Sequence, residues 1–318
     1  MDNTMQLSEA DIIKKSEIDL TEILSAIWRG KWIIGITTII FAVSSVFYAL
    51  SLPNTYRATV LLSPVEDSQG GVLSNLKSEF GGLAAMAGVN LGGGKSNKAA
   101  LALQVMQSRY FINNFVEKYK LKPTLMATEG WMLGSNELVF SPETYDAENA
   151  KWIRNVDAPF KPEPGIQELF EHVTSENLAV IEDKEKGLVT VAMTHFSPYV
   201  AKSMVENIVV EINEHMKTEA IAEANIKIEY LKKTLADTSV ADMQRIFYQL
   251  IEQQEQTKML AQTQSQYVFK TIDPAILPIQ KAGPKRALIC IGLTFLGGVL
   301  AVAFVLFRHF VLGNRVKQ

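Results

Sequence analysis

The stretch WIIGITTIIFAVSSVFYALSL, Trp32 to Leu52, contains no charged side chain and no proline. About 21 residues at roughly 1.5 Å of rise each match a hydrocarbon core about 30 Å thick, so the stretch reads as a membrane-spanning helix. A signal peptide would have a shorter apolar segment and a small-residue cleavage site behind it, whereas Ser51-Leu52-Pro53-Asn54-Thr55-Tyr56 follows here. The chain becomes as apolar again in ALICIGLTFLGGVLAVAFVLF, Ala287 to Phe307. Two spans return the chain to its starting side, so residues 53–286 lie together on the other side. That divides the chain into an N-terminal segment (1–31), a first span (32–52), a large domain (53–286), a second span (287–307) and a tail (308–318).

Arg29 and Lys31 precede the first span, and Arg308, Arg315 and Lys317 follow the second. The bias of basic residues in short flanks therefore places both termini in the cytoplasm. Arg57, Lys281, Lys285 and Arg286 on the opposite side count for less, because a long translocated domain crosses largely regardless of charge. A net charge of −3 supplies no concentrated basic face, which excludes nucleic acid as a partner. Cys290, the single cysteine, falls inside the second span, so the large domain is held by its core and not by disulfides.

Ahead of the first span, Leu20, Ile23, Leu24 and Ile27 repeat at three and four, predicting over 18–28 either a short amphipathic helix at the membrane surface or a solvated lead-in turn. After it, Tyr56 to Leu62 is rich in strand formers and is expected to stop at Ser63-Pro64. Residues 66–98 are rich in glycine and predict a loop. Its end, Gly88 to Ser96, imitates a phosphate-binding loop, but Val89 occupies the position of the motif's first glycine, so the segment reads as loop and no nucleotide cofactor is expected. Ala99 to Lys120 predicts one helix with Leu103, Met106, Tyr110, Phe111, Ile112 and Phe115 buried. Residues 124–164 show no sustained period and read as connecting structure. Pro164-Gly165 opens a helix through His172, and Leu178 to Ile181 with Leu188 to Met193 predicts a hairpin around Glu182 to Gly187.

Ser197-Pro198 is a strong helix start, a capping hydroxyl followed by proline at the first helical position. Neither proline nor glycine recurs until Pro274. One continuous helix over that length would run about 110 Å, and the short remainder before the second span could not bring the chain back. The favoured solution is a helical hairpin over 198–270 with its tip at Asp237 to Asp242, where Ser239 and Asp242 could cap a second helix. Ile221, Ala224, Ile228, Leu231 and Leu235 form one stripe. Ile246, Phe247, Leu250, Ile251, Met259, Leu260, Tyr267 and Val268 form the facing one, with glutamines between Gln249 and Gln266 on the outer face. The alternative is one straight helix with earlier segments climbing beside it.

No catalytic pattern emerges. The four histidines have no metal-binding spacing, no serine sits in a nucleophile elbow, and Glu168, Glu171 and His172 would offer too few ligands for a metal. No enzyme activity and no metal or cofactor are expected. In the second span Gly297 and Ala301 stand four apart, with Gly292 and Gly298 nearby, a pattern that lets another helix approach closely and suggests assembly.

Ile272-Asp273-Pro274-Ala275-Ile276-Leu277-Pro278, then Pro284 to Ile289 and Leu296-Gly297-Gly298, resemble the approach to the second span in the Wzz-type polysaccharide co-polymerases, the chain-length determinants of bacterial surface polysaccharides. Asp19-Leu20 to Trp28, Lys31-Trp32, Tyr56-Arg57-Ala58, Gly187 to Val191 and Ser197-Pro198 agree with that family as well. The proline run is looser here, with Gln280-Lys281-Ala282-Gly283 between Pro278 and Pro284. Some relatives carry a cytoplasmic tyrosine-kinase domain, which the short tail after the second span would leave to another protein. The resemblance implies an α+β protein of the bacterial inner membrane, in which two transmembrane helices flank a periplasmic α/β base (53–197 with 271–286) bearing the helical extension. It implies a ring-like homo-oligomer that sets the length of an O-antigen-like polymer made by a Wzy-type polymerase, with the growing polysaccharide and membrane lipid as further partners. Pro274, Pro278, Pro284, Gly297, Ala301, Ser239 and Asp242 are the candidate residues for assembly or function. The rival readings are a periplasmic adaptor or scaffold for polysaccharide export, and a membrane-bound sensor.

Overall fold

The computed structural model describes residues 20–65 and 94–309, with side chains from residue 24 in the first stretch and residue 98 in the second. Helix α1 (Leu20–Arg29) leads through Gly30 into α2 (Lys31–Ser51). Strand β1 (Tyr56–Pro64) runs on through Ser63-Pro64, two residues beyond the expected stop. The glycine-rich residues 66–93, and with them most of the phosphate-loop imitation, lie outside the described residues. Helix α3 (Gly94–Met106) already begins at Gly94, inside the expected loop.

The single helix expected over 99–120 is two helices. Ser108 breaks it and caps α4 (Arg109–Lys118), its hydroxyl accepting from Phe111 N–H at 3.2 Å. That local bond competes with helix continuation. Tyr110, expected in the core, is 69% exposed because the break rotates the second stripe away from it. Pro123 opens a short α5 (Lys122–Met126). The expected connecting structure contains two small ribbons, β2 (Thr128–Met132) with β3 (Glu137–Phe140), and β4 (Tyr145–Asp146) with β5 (Lys151–Trp152). Helix α6 (Ile166–His172) ends in a π turn, Val173–Asn177. The predicted hairpin follows as β6 (Leu178–Asp183) and β7 (Leu188–His195), and Gly187 in its turn takes a φ of +65° that favours glycine. Helices α7 (Pro198–Ala236) and α8 (Ala241–Thr263), strand β8 (Phe269–Asp273) and helix α9 (Arg286–Phe307) complete the chain.

Contacts divide the protein into two units, one holding α1, α2 and α9, the other Asn54–Ala282. In the first, α2 and α9 have the length and composition to cross a membrane. They run antiparallel: Arg286 donates to the Leu52 carbonyl at 2.9 Å, the Cys290 thiol lies 3.7 Å from the Ser45 carbonyl, and Gly297 faces Phe41. Small residues line the seam. Ser45, Ala49 and Ala301 are almost wholly buried, while Ile39, Phe47, Phe295 and Phe304 stand exposed, as lipid-facing side chains must.

The second unit is an α+β domain. Its four-stranded sheet has the order β6-β7-β1-β8, every pair antiparallel. Ala58, Val60 and Leu62 of β1 stand opposite Met193, Val191 and Val189 of β7, so both strands turn the same apolar face inward. Ala201, Met204, Val205, Ile208 and Ile212 of α7 cover that face, and Phe111, Ile112 and Phe115 of α4 close the same core. Period two on the strands and period 3.6 on the helix meet in one core.

Candidate functional site

Helix α7 is the element that carries the core of the domain outward. Its start is fixed as the sequence indicates: Ser197 is the N-cap, accepting from Val200 N–H, and Pro198 opens the helix. Its first half is core. After Met216 burial becomes sparse, and the inner stripe is reduced to Ala224 and Ile228.

The helix breaks where expected. Asp237 to Val240 separate α7 from α8, and α8 packs back along α7 as an antiparallel hairpin. The capping expected of Ser239 and Asp242 is not what the tip uses. Val240 is the N-cap of α8 and makes no side-chain bond, Asp242 sits in the first turn, and the tip is instead tied by Gln244 Nε2 donating to the Thr238 carbonyl at 2.7 Å. The poor helix formers set the break, and the break set the register. On α8, Phe247 and Ile251 are half-buried and Ala261 is fully buried, whereas Ile246 and Met259, expected on that stripe, are 50% and 55% exposed.

Between the two helices lies an open cleft of about 460 Å³, lined by Ile226, Lys227, Tyr230, Leu231, Leu250 and Gln254. Its walls are mostly apolar, and one expected outer-face glutamine, Gln254, sits inside it. Glu223 pairs with Lys227 at 2.6 Å beside it.

The return of the hairpin to the sheet is governed by Asn213, which the sequence reading did not single out. Its Oδ1 accepts from Val268 N–H at 2.8 Å and Phe269 N–H at 3.0 Å; its Nδ2 donates to the carbonyls of Val209 at 3.0 Å and Phe269 at 3.1 Å. Every hydrogen-bonding position of the amide is used in a buried site. A polar residue on the inward face of Ile208 to Met216 was the available signal. His195, missed likewise, continues the inward register of Val189, Val191 and Met193. It accepts from Ser197 N–H at Nδ1, so Nε2 carries the proton and donates to the Thr124 carbonyl at 3.0 Å. Burial pushes its pKa below the ordinary histidine value.

The remaining candidates are dispersed. Pro274 follows β8 and is exposed, Ala275 is buried, and Pro278 is half-buried. Ala282 N–H donates to the Thr55 carbonyl at 2.7 Å, tying the end of the neck to the beginning of β1. Pro284 belongs to the other unit. In α9, Gly297 and Ala301 do receive a close helix, but it is α2 of the same chain: a Cβ on Gly297 would overlap the ring of Phe41. Glu168 is committed to Arg154, whose Nη1 and Nη2 reach its two oxygens at 2.7 and 2.8 Å and hold its carboxyl below the usual range. Arg154 also donates to the Lys161 and Pro162 carbonyls, clamping the preceding loop.

Two family models match this arrangement. Residues 16–119, from ahead of α1 to the end of α4, match Wzz, the chain length determinant protein. The chain carries a Wzz domain. Residues 235–310, from the hairpin tip through α8, β8, the neck and α9, match GNVR, described as a G-rich domain on candidate tyrosine kinases. Among solved structures, a full-length bacterial polysaccharide co-polymerase is 12% identical over 93% of this chain and 99% of its own, with a TM-score of 0.37. A fragment of WzzB, the polysaccharide co-polymerase from Salmonella Typhimurium, is 13% identical over 72% of this chain and 99% of its own, with a TM-score of 0.29. At these scores neither likeness adds to the family models. No curated protein sequence matches the chain. The Wzz domain and the two apolar helices together make this an inner-membrane protein with two spans.

Proposed function

We propose that this Wzz-domain protein regulates the chain length of a bacterial surface polysaccharide, and that it does so as a scaffold without catalysing a reaction. The observation that carries the reading is the Wzz match itself, which takes in the first span and the sheet strand it leads into. The geometry is compatible: a two-span anchor, a mixed sheet-and-helix base, and a helical hairpin with exposed side chains along it. In this reading both termini are cytoplasmic and Asn54–Ala282 is periplasmic, as the basic flanks Arg29, Lys31 and Arg308 favour.

The finer picture is a ring-like homo-oligomer that limits extension of an O-antigen-like polymer by a Wzy-type polymerase. The hairpin tip around Ser239 and Asp242 and the neck prolines Pro274, Pro278 and Pro284 are the places where length control would be tuned. A deletion strain and its complemented control, compared by gel profiles of every surface glycan, test the reading. A shifted modal length that complementation restores supports it, and an unchanged ladder sinks it. Co-purification with an outer-membrane channel and no polymerase would favour the export scaffold instead.

A further inference from the structure

Helix α1 and the start of α2 present two stripes of opposite chemistry. The helical ladder continues through Gly30, which donates to the Ala26 carbonyl and accepts from Ile34 N–H, each at 3.0 Å. One stripe is closed. Ala26 is 1% exposed, and a Cβ on Gly30 would overlap the side chain of Val305 near the end of α9. The other stripe is open: Leu24, Trp28 and Trp32, spaced at i, i+4 and i+8, are 70%, 72% and 75% exposed.

Cations gather at the same end. The Lys31 ammonium lies 5.1 Å from the centre of the Trp28 ring, Arg29 is exposed next to it, and Arg308 is exposed one turn beyond Val305. Residues 24–36 and 301–309 carry Arg29, Lys31 and Arg308 and no aspartate or glutamate, the acid of α1, Glu22, standing before them. Tryptophan is at home where one edge of its ring is apolar and the other wet, which is the depth of lipid headgroups. The open stripe also runs directly into the outer face of α2, where Ile36, Ile39 and Val43 are exposed.

We propose that this end of the span pair is a binding collar for anionic phospholipid headgroups. Leu24, Trp28 and Trp32 enter the boundary between headgroup and acyl chain, while Arg29, Lys31 and Arg308 hold headgroup phosphates. Continuity with the lipid-facing side of α2 argues for lipid over a protein partner. The excess of basic over acidic residues along 24–36 and 301–309 argues for anionic over zwitterionic lipid. The inference rests on the two spans and not on the polysaccharide role.

Native mass spectrometry of the full-length protein, titrated with phosphatidylglycerol or phosphatidylcholine in detergent, tests it. Preferential retention of phosphatidylglycerol is expected. Arg29→Gln with Lys31→Gln should weaken that retention roughly fivefold per charge, the equivalent of the about 1 kcal/mol a basic residue contributes beside an anionic surface. Lys31→Arg should preserve it, as should Lys281→Gln with Lys285→Gln, which removes equal charge from the neck. Equal retention of the two lipids by the unaltered protein overturns the proposal, as does a loss in the neck variant as large as in the collar variant, or a bound polypeptide in place of lipid. If the double variant fails to insert, Arg308→Gln alone carries the test, with the same preference expected to fall.

Discussion

Asn213 holds the peptide of Phe269 from both sides, accepting its N–H at 3.0 Å and donating to its carbonyl at 3.1 Å. One side chain on the long helix thereby decides where the strand after the hairpin begins. It joins positions 56 residues apart in sequence.

Replacing Asn213 with leucine should therefore be costly even though the site is apolar around it. The Val268 and Phe269 N–H groups would lose their acceptor in a buried place, at about 1–3 kcal/mol for each unsatisfied group. Chemical denaturation of the purified protein should show a loss of roughly 3 kcal/mol or more. A change under 1 kcal/mol would mean that water or a backbone shift supplies the missing bonds.

Span packing can be trapped covalently. Ser45→Cys places a second thiol opposite Cys290, the chain's one native cysteine, and mild oxidation in membranes should give an internally bridged monomer of altered gel mobility. Adding Gly297→Leu should cut that yield several-fold, because the larger side chain overlaps Phe41. Bridged dimers as the main product would move the seam to an interface between subunits.

Stability should fall as the medium is acidified from neutral. His195 is buried with its pKa lowered, so the folded protein binds fewer protons there than the unfolded chain does. Its contribution is fully present above the unfolded value of about 6.5 and is lost as the pH drops from there toward the folded value, at no more than about 1.4 kcal/mol per pH unit. His195→Gln should lower the melting temperature at pH 8 yet flatten its decline between pH 7 and pH 5. Parallel slopes would show that another group governs the dependence.

The uncapped tip can be improved. Val240→Ser or Val240→Asp supplies the missing acceptor at the α8 N-cap and should stabilise that helix end by about 1 kcal/mol. Slower hydrogen exchange in the first turn of α8 is the measurement. Unchanged exchange would place the effective cap elsewhere in Asp237 to Val240.

What the sequence made legible was whatever is encoded locally. Two uncharged runs, a Ser-Pro helix start, alternating strand residues around a glycine turn, and a cluster of poor helix formers between two stripes all act over a few residues. What it concealed depends on meetings between distant residues. Nothing near Gly297 says that its partner is Phe41 of the same chain, and nothing near Asn213 names Phe269. The Ser108 break was concealed as well, because the apolar stripe on either side of it argued for continuity. The tip shows the same limit, since composition located the turn while packing chose Val240 over Ser239 as the cap.

Helix α7 passes from the core to the hairpin without interruption over 39 residues, about 58 Å. From Met216 to Ala236 it extends roughly 30 Å beyond its densest packing. It is thus a lever with its fulcrum on the sheet: a tilt of about 5° at the base displaces the tip by about 2.6 Å on that arm. Side chains such as Ile212 and Asn213, far from the tip, thereby set the tip's aim, and adjustments at the fulcrum are read out magnified at the far end.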